Sequence, residues 1–518
     1  MQRTTYKKPI FLLIFISVFT VLFAQEENHS PAAIEQMKIN RLWQQTSNAA
    51  GLKIEQPKDY SVIAGNYRME NGDFHRVMNG NKKNNLILDT EGGVNVGNTY
   101  FWGRFNYSRE AIKDAKFNAS LIDPYRGMPY FVADTNSSNW NNQYYELEFK
   151  INFPTIGDKI SIGIGGEYHA YTGAKQRDIR TENAYMKLAL RPGLVYLINK
   201  NHRFGFNLEY FSLKEESHMS NVNVYIDQPY YELYGLGRAT IGIGSGRETN
   251  YVGNSIGGGL QYHYSGIADL LLTSNFSTKV EDTQISFSTP KSEGTIIDAV
   301  WHSKALLKTK SIENTHYIDL EYLQRHIKGI EYISKYDDSD SFKGYVNLKK
   351  NIRSKYANRL LSAGYSWTNN WRNEYRTRLG GKIKFIEYKN KYILPQSDRM
   401  AKNMAFEVFG KHNIILSDAL AQRLLIGANC TYEKNIDGNY LYGGAFKEYP
   451  INSQLEKRDN EYDSSGYLSA HLSAVYSQKI KRANGLNLFI GTDYIYSKAS
   501  NKSFGSRNDI SLSIGCIF

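Results

Sequence analysis

Ile510-Ser511-Leu512-Ser513-Ile514-Gly515-Cys516-Ile517-Phe518 closes the sequence. Its even positions are all apolar, while Ser511, Ser513 and Gly515 fill three of the four odd positions between them. A two-residue alternation sends the two sets to opposite faces of a β-strand. One strand is not a fold, so the question is whether the rest of the chain repeats the pattern.

It does, from Pro57 onward. Tyr145, Leu147, Phe149, Ile151 and Phe153 alternate with Glu146, Glu148, Lys150 and Asn152. Phe204, Phe206, Leu208 and Tyr210 oppose Arg203, Asn207 and Glu209, and Leu488, Ile490, Tyr494 and Tyr496 oppose Asn487 and Asp493. About 18 segments between residues 58 and 518 read this way, with 16 or 20 as the totals if one pair is misread. The connections alternate between long and short. Val96-Gly97, Pro154–Gly157, Lys200-Asn201, Ser265-Gly266 and Ser417-Asp418 are short, whereas 112–141, 216–251, 329–356 and 434–463 are long. Short turns at one end and long loops at the other are the outer-membrane arrangement, which a soluble sandwich has no reason to keep. The expected fold is all-β: a transmembrane antiparallel up-and-down β-barrel, apolar toward lipid and polar toward its lumen.

Residues 1–24 begin with Arg3, Lys7 and Lys8, continue as the apolar run Ile10–Phe23 and end on Ala24, the layout of a secretory signal peptide. Without those three cations the chain carries 60 basic against 51 acidic residues, spread without clusters, so nucleic acid is not an expected partner. Forty Tyr and 42 Gly suit aromatic girdles and tight turns. Cys430 and Cys516 are expected on separate strands facing lipid, with no disulfide, and neither a metal nor a cofactor is expected. Residues 25–56 form a periplasmic segment whose stretch Pro31–Gln45, with Ile34, Met37, Leu42 and Trp43, predicts a short helix at the barrel mouth. The barrel itself is expected over 57–518.

Three features carry resemblances. A closing strand that stops on Phe518 resembles the terminal segment of bacterial outer-membrane barrels, which implies that the barrel assembly machinery reads it. Asn48-Ala49-Ala50-Gly51-Leu52 is similar to the Asn-Pro-Ala-Gly-Leu segment of FadL-type transport barrels, with Ala49 in place of the Pro; this implies a plug built on Asn48, Gly51 and Leu52. Together with Phe23-Ala24-Gln25 and Leu42–Leu52, these features resemble an uncharacterised Bacteroidetes family of outer-membrane barrels, which has no activity to carry over.

Function would be written on the lumen face. Glu146, Glu148, Lys150 and the basic set Arg376, Arg378, Lys382 and Lys384 are predicted to point inward, either drawing anions or pairing across the wall. The outer loop holds Tyr225, Tyr230, Tyr231 and Tyr234 among glycines, suited to stacking on a solute or folding into a constriction. Gly242–Arg247 has the look of a phosphate cradle, but is expected to lack the strand before it and the helix after it. His169 with Glu167, and His471 with Ser469 or Ser473, stand too far apart along one strand face for proton transfer, so no catalytic residue is assigned. A small-solute channel or FadL-like transporter is the leading expectation. A scaffold for surface lipoproteins or secretion components is the alternative, and an outer-membrane enzyme a more distant one.

Overall fold

The computed structural model describes residues 30–223, 225–226, 228–244, 246–286, 289–309, 311–339, 343–480 and 485–518. The signal peptide expected at 1–24 lies outside them. Among the described residues, eighteen strands form one antiparallel sheet in which each pairs with its neighbour in sequence. The last strand, Ser506–Ile517, pairs with the first, Tyr60–Gly72, from Val62 opposite Ile517 to Gly72 opposite Arg507. That pairing closes the barrel, which has no first or last strand left open within its wall. Phe518 completes the seam: its N–H donates to the Ser61 carbonyl at 2.9 Å and its carbonyl accepts from the Ser61 N–H at 3.3 Å.

Two-residue alternation decides which face meets lipid. Ile510, Leu512 and Ile514 are exposed on the outer wall, Ile514 at 67%. Cys430 and Cys516 are free thiols on that outer face. The odd residue that breaks the polar pattern, Ile517, is buried on the inner side against Ile34, Leu52 and Tyr100. An apolar side chain is tolerated there because another part of the chain covers it. No helix among the described residues is long and apolar enough to cross a membrane. A closed barrel whose wall is apolar outward and polar inward satisfies its backbone without one, and this is an outer-membrane protein.

All eighteen expected strands are present, but several run past the expected ends. The stretch 329–356, read as a long loop, is instead the tip of a hairpin formed by Asn314–Asp337 and Gly344–Trp371. Its neighbours stop pairing at Glu331 and Ser354, the Arg353 carbonyl still accepting from the Ile393 N–H at 2.8 Å, so in the sheet 332–337 and 344–350 pair only with one another. Mutual pairing satisfies those backbone groups without a third strand. Three other connections fold back into the barrel over 116–137, 228–244 and 442–466. They contribute a small sheet of Arg238–Ile243, Pro229–Gly235 and Phe131–Ala133, plus the helix Lys457–Asp463.

Candidate functional site

The end of the barrel with the short turns and Phe518, which faces the periplasm in such proteins, is filled by residues 30–56. Ser30 caps the helix Pro31–Asn40, its hydroxyl accepting from the Ala33 N–H at 3.1 Å with Pro31 at the first position. Two 3₁₀ turns come after it, Trp43–Gln45 and Ala49–Glu55, the second capped by Asn48, which accepts the Ala50 N–H at 3.0 Å. Leu42, Trp43, Ala49 and Ala50 are fully buried in the lumen.

The plug is tied to the wall by two apolar clusters, Leu52 with Tyr100 and Trp102 and Trp43 with Val195 and Leu271, and by a set of polar contacts. The Asn48 amide donates to the Gln261 side chain at 2.8 Å and to the carbonyls of Leu194 and Phe206 at 3.2 Å. The Ala50 carbonyl accepts from Asn152 at 2.9 Å and Ser161 at 2.8 Å. Lys150 donates to the carbonyls of Gln44 and Thr46, each at 3.1 Å, and the Trp43 indole reaches His263 at 3.0 Å. Bonds to a charged donor such as Lys150 contribute about 1.5–3 kcal/mol each. Glycine in the wall makes this approach possible: a Cβ on Gly163 would collide with the Ala50 backbone, and one on Gly193 with the Asn48 amide.

The opposite end is closed by the three folded loops. Phe117, Ala133, Leu233, Ile451 and Leu455 form their common core with Met78. Charged anchors hold this cap to the wall: Arg126 bonds Glu281 at 2.5 Å and lies 3.1 Å from Glu215, Arg247 pairs with Glu232 and Glu293, and Arg76 pairs with Asp463. Glu456, buried, accepts from the Gly237 N–H at 2.6 Å and the Tyr440 hydroxyl at 3.0 Å. Burial outweighs those bonds and the nearby Arg399, pushing its carboxyl up to about 7; Asp459 is raised for the same reason. Between cap and wall lies a chamber of about 580 Å³, lined by Tyr125, Tyr356, Asn358, Tyr388, Asn390 and Asp459 among others.

Over residues 49–518 the sequence matches a family of unknown function, DUF6850. The chain belongs to that family. No curated protein sequence matches it. Among solved structures it is similar to the siderophore receptor PiuA from Acinetobacter baumannii, with 10% identity over 89% of this chain and 82% of that one and a TM-score of 0.44. The outer membrane transporter YddB from Escherichia coli gives 8% identity over 88% and 81%, with a TM-score of 0.40. The FrpB iron transporter from Neisseria meningitidis gives 11% over 91% and 83%, with a TM-score of 0.39.

In this DUF6850 chain the lumen residues named from sequence face inward, with one exception. Glu146 accepts from the Tyr171 hydroxyl at 2.7 Å, and Glu148 lies 3.6 Å from Lys150. Lys382 bonds Asp319 at 2.9 Å, Lys384 bonds Glu407 at 2.8 Å, and Arg378 sits over the Phe409 ring at 5.3 Å. The ladder is therefore paired across strands. Arg376 leaves it: pairing runs from Asn369 opposite Thr377 to Asn370 opposite Tyr375, so Arg376 is the extra residue of a bulge, exposed beside Trp371.

The tyrosine loop also departs from expectation. Tyr230, Tyr231 and Tyr234 stand on the strand Pro229–Gly235, with Tyr231 buried in the cap core and the Tyr234 hydroxyl bonded to Glu232 at 3.0 Å; Tyr225 alone of the four is fully open, at 95%. A strand, Arg238–Ile243, does precede Gly244, contrary to the expectation from sequence, but the next element is the barrel strand Glu248–Ser265, with no helix to face a phosphate. His169 meets Tyr171 at 2.9 Å and His471 meets Asp493 at 2.9 Å, neither of them the partner considered from sequence. The DUF6850 residues missed were the charged groups where the cap meets its surroundings: Asp459 and Asp463 of the cap, Arg399 on the strand Ser397–Ser417 and Arg76 on the connection between the first two strands. One signal was available. Ile451 and Leu455, four apart within the loop, mark one helical face.

Proposed function

We propose that the protein is a gated outer-membrane transporter for a small polar solute. The observation that carries this reading is the plug at 30–56, a segment of the chain itself seated in the lumen, where a network of hydrogen bonds to the wall accompanies two apolar clusters around Leu52 and Trp43. The paired charges along the inner wall support a wetted path, since such pairs in water-filled space contribute only about 0–1 kcal/mol each. The closing strand ending on Phe518 acts, on this reading, as the signal to the assembly machinery.

A planar-bilayer recording tests the proposal. Intact mature protein should be nearly silent, deletion of 25–56 should give leaky openings, and joint removal of 442–466 should give steady conductance. Silence in all three, with the barrel folded, would sink the transporter reading. It would favour a second one, a non-conducting scaffold for a surface or secretion partner. That alternative has its own support in the free hairpin, where Ile333, Tyr336, Val346 and Leu348 stay exposed beyond the barrel wall.

A further inference from the structure

The outer chamber has a chemistry of its own. Its barrel wall is a small checkerboard: Asn358 stands opposite Tyr388, and Tyr356 opposite Asn390, on adjacent strands. Each aromatic ring therefore lies beside an amide, and the two pairs are two residues, about 7 Å, apart along the strands.

The charged groups around this wall are already committed. Arg76 pairs with Asp463. Arg325 grips Asp298 through two bonds, at 2.9 and 2.7 Å. Arg399 lies 3.9 and 3.8 Å from Asp459 and Asp463, and Asp459 also accepts the Tyr125 hydroxyl at 3.1 Å. Glu433 accepts from Asn403 at 2.9 Å. A charged solute would have to break one of these desolvated pairs, leaving an uncompensated charge behind. A neutral solute faces no such cost. The Asn390 amide oxygen accepts from Arg399 at 3.0 Å, so what remains available is aromatic face, the Asn358 amide and one Asn390 N–H, which together suit a ring with an apolar C–H face and a rim of hydroxyls.

We propose that the chamber binds a neutral saccharide of one or two rings, stacked on Tyr356 and Tyr388 and hydrogen-bonded by the Asn358 amide and the remaining N–H of Asn390. Its size, about 580 Å³, is that of a small-molecule site. The inference rests on the transporter reading and names its substrate class.

The test is calorimetric titration of the full mature protein in detergent with maltose, cellobiose, galacturonate and glycine. The two neutral disaccharides should bind and the charged solutes should not. Asn358→Leu and Tyr388→Ala should each weaken saccharide binding about tenfold or more. Asn275→Ala, in the lower lumen away from the chamber, should leave it unchanged. Heat-modifiable migration on gels verifies that each variant has folded. Binding of galacturonate in preference to the neutral sugars, indifference to both chamber variants, or no binding of either disaccharide would overturn the proposal. Liposome swelling with the same sugars, on the variant lacking 25–56 that is expected to leak, separates the two ideas. Saccharide binding without uptake refutes transport and leaves the site standing, whereas uptake of glycine without saccharide binding does the reverse.

Discussion

The Asn48 amide donates to the side-chain oxygen of Gln261 at 2.8 Å, joining residues 213 apart in sequence inside the lumen. Asn48 is fully buried, and its other bonds run to two wall carbonyls and to the first turn of its own 3₁₀ segment. It is thus at once a cap for the plug and the plug's anchor.

Asn48→Ala removes these bonds and leaves the Gln261 side-chain oxygen without this donor, while its amide still donates to Asn207 at 2.7 Å. A buried group left without its partner costs about 1–3 kcal/mol. Hydrogen exchange across residues 42–52 should accelerate at least about fivefold, while the barrel strands keep their protection. Unchanged exchange in the plug would show that Asn48 does not anchor it.

Gly193→Val tests the same contact from the wall. The added side chain occupies the space of the Asn48 amide, so the plug must shift while the strand pairing survives. We expect a barrel that still migrates as folded on unheated gels but loses plug protection in hydrogen exchange. A fully protected plug in this variant would contradict the close packing of Asn48 on Gly193.

The cap should loosen as pH rises. Glu456 is held near 7 by burial, above the ordinary carboxylate range, so the folded cap binds a proton that the opened cap releases. The stability this supplies is complete below the ordinary range and is lost as pH rises through about 7. Asp459, also raised and facing Arg76 and Arg399, adds in the same direction. Exchange across 229–243 and 451–463, corrected for its intrinsic rate, should be about tenfold or more faster at pH about 8 than at pH about 5.5. Glu456→Gln should remove most of that dependence. A pH-independent cap would place its cohesion in the apolar core alone.

Deleting Phe518 removes both backbone bonds to Ser61 and the terminal aromatic, but none of the pairing from Ile517 to Arg507. The variant should refold in detergent with a modest loss of stability, about 1–2 kcal/mol. Its yield in the outer membrane of cells should fall severalfold. Equal yields for deletion and wild type would deny the residue an assembly role.

Alternation decides a barrel because it is local. Whether Leu512 faces out and Ser513 in is set by two-residue geometry alone, and eighteen such segments leave a closed sheet as the way to satisfy every edge. The inward aim of Glu146, Glu148, Lys150, Lys382 and Lys384 comes from the same period. Arg376 escaped it because a single bulged residue shifts parity, and nothing local announces a bulge.

The filling of the barrel was beyond that logic. Asn48 to Gln261, Arg76 to Asp463 and Glu456 to Gly237 join residues hundreds apart, and no period in the sequence encodes which loop returns to which wall. The sequence by itself determined a lipid-facing barrel with a polar lumen and a segment at its mouth suited to plugging it. Only the tertiary structure decided that both ends are closed and that a tyrosine–asparagine chamber lies between cap and wall. Strand faces are set by backbone geometry over a few residues, whereas plug, cap and chamber are set by long-range packing and by the pairing of buried polar groups.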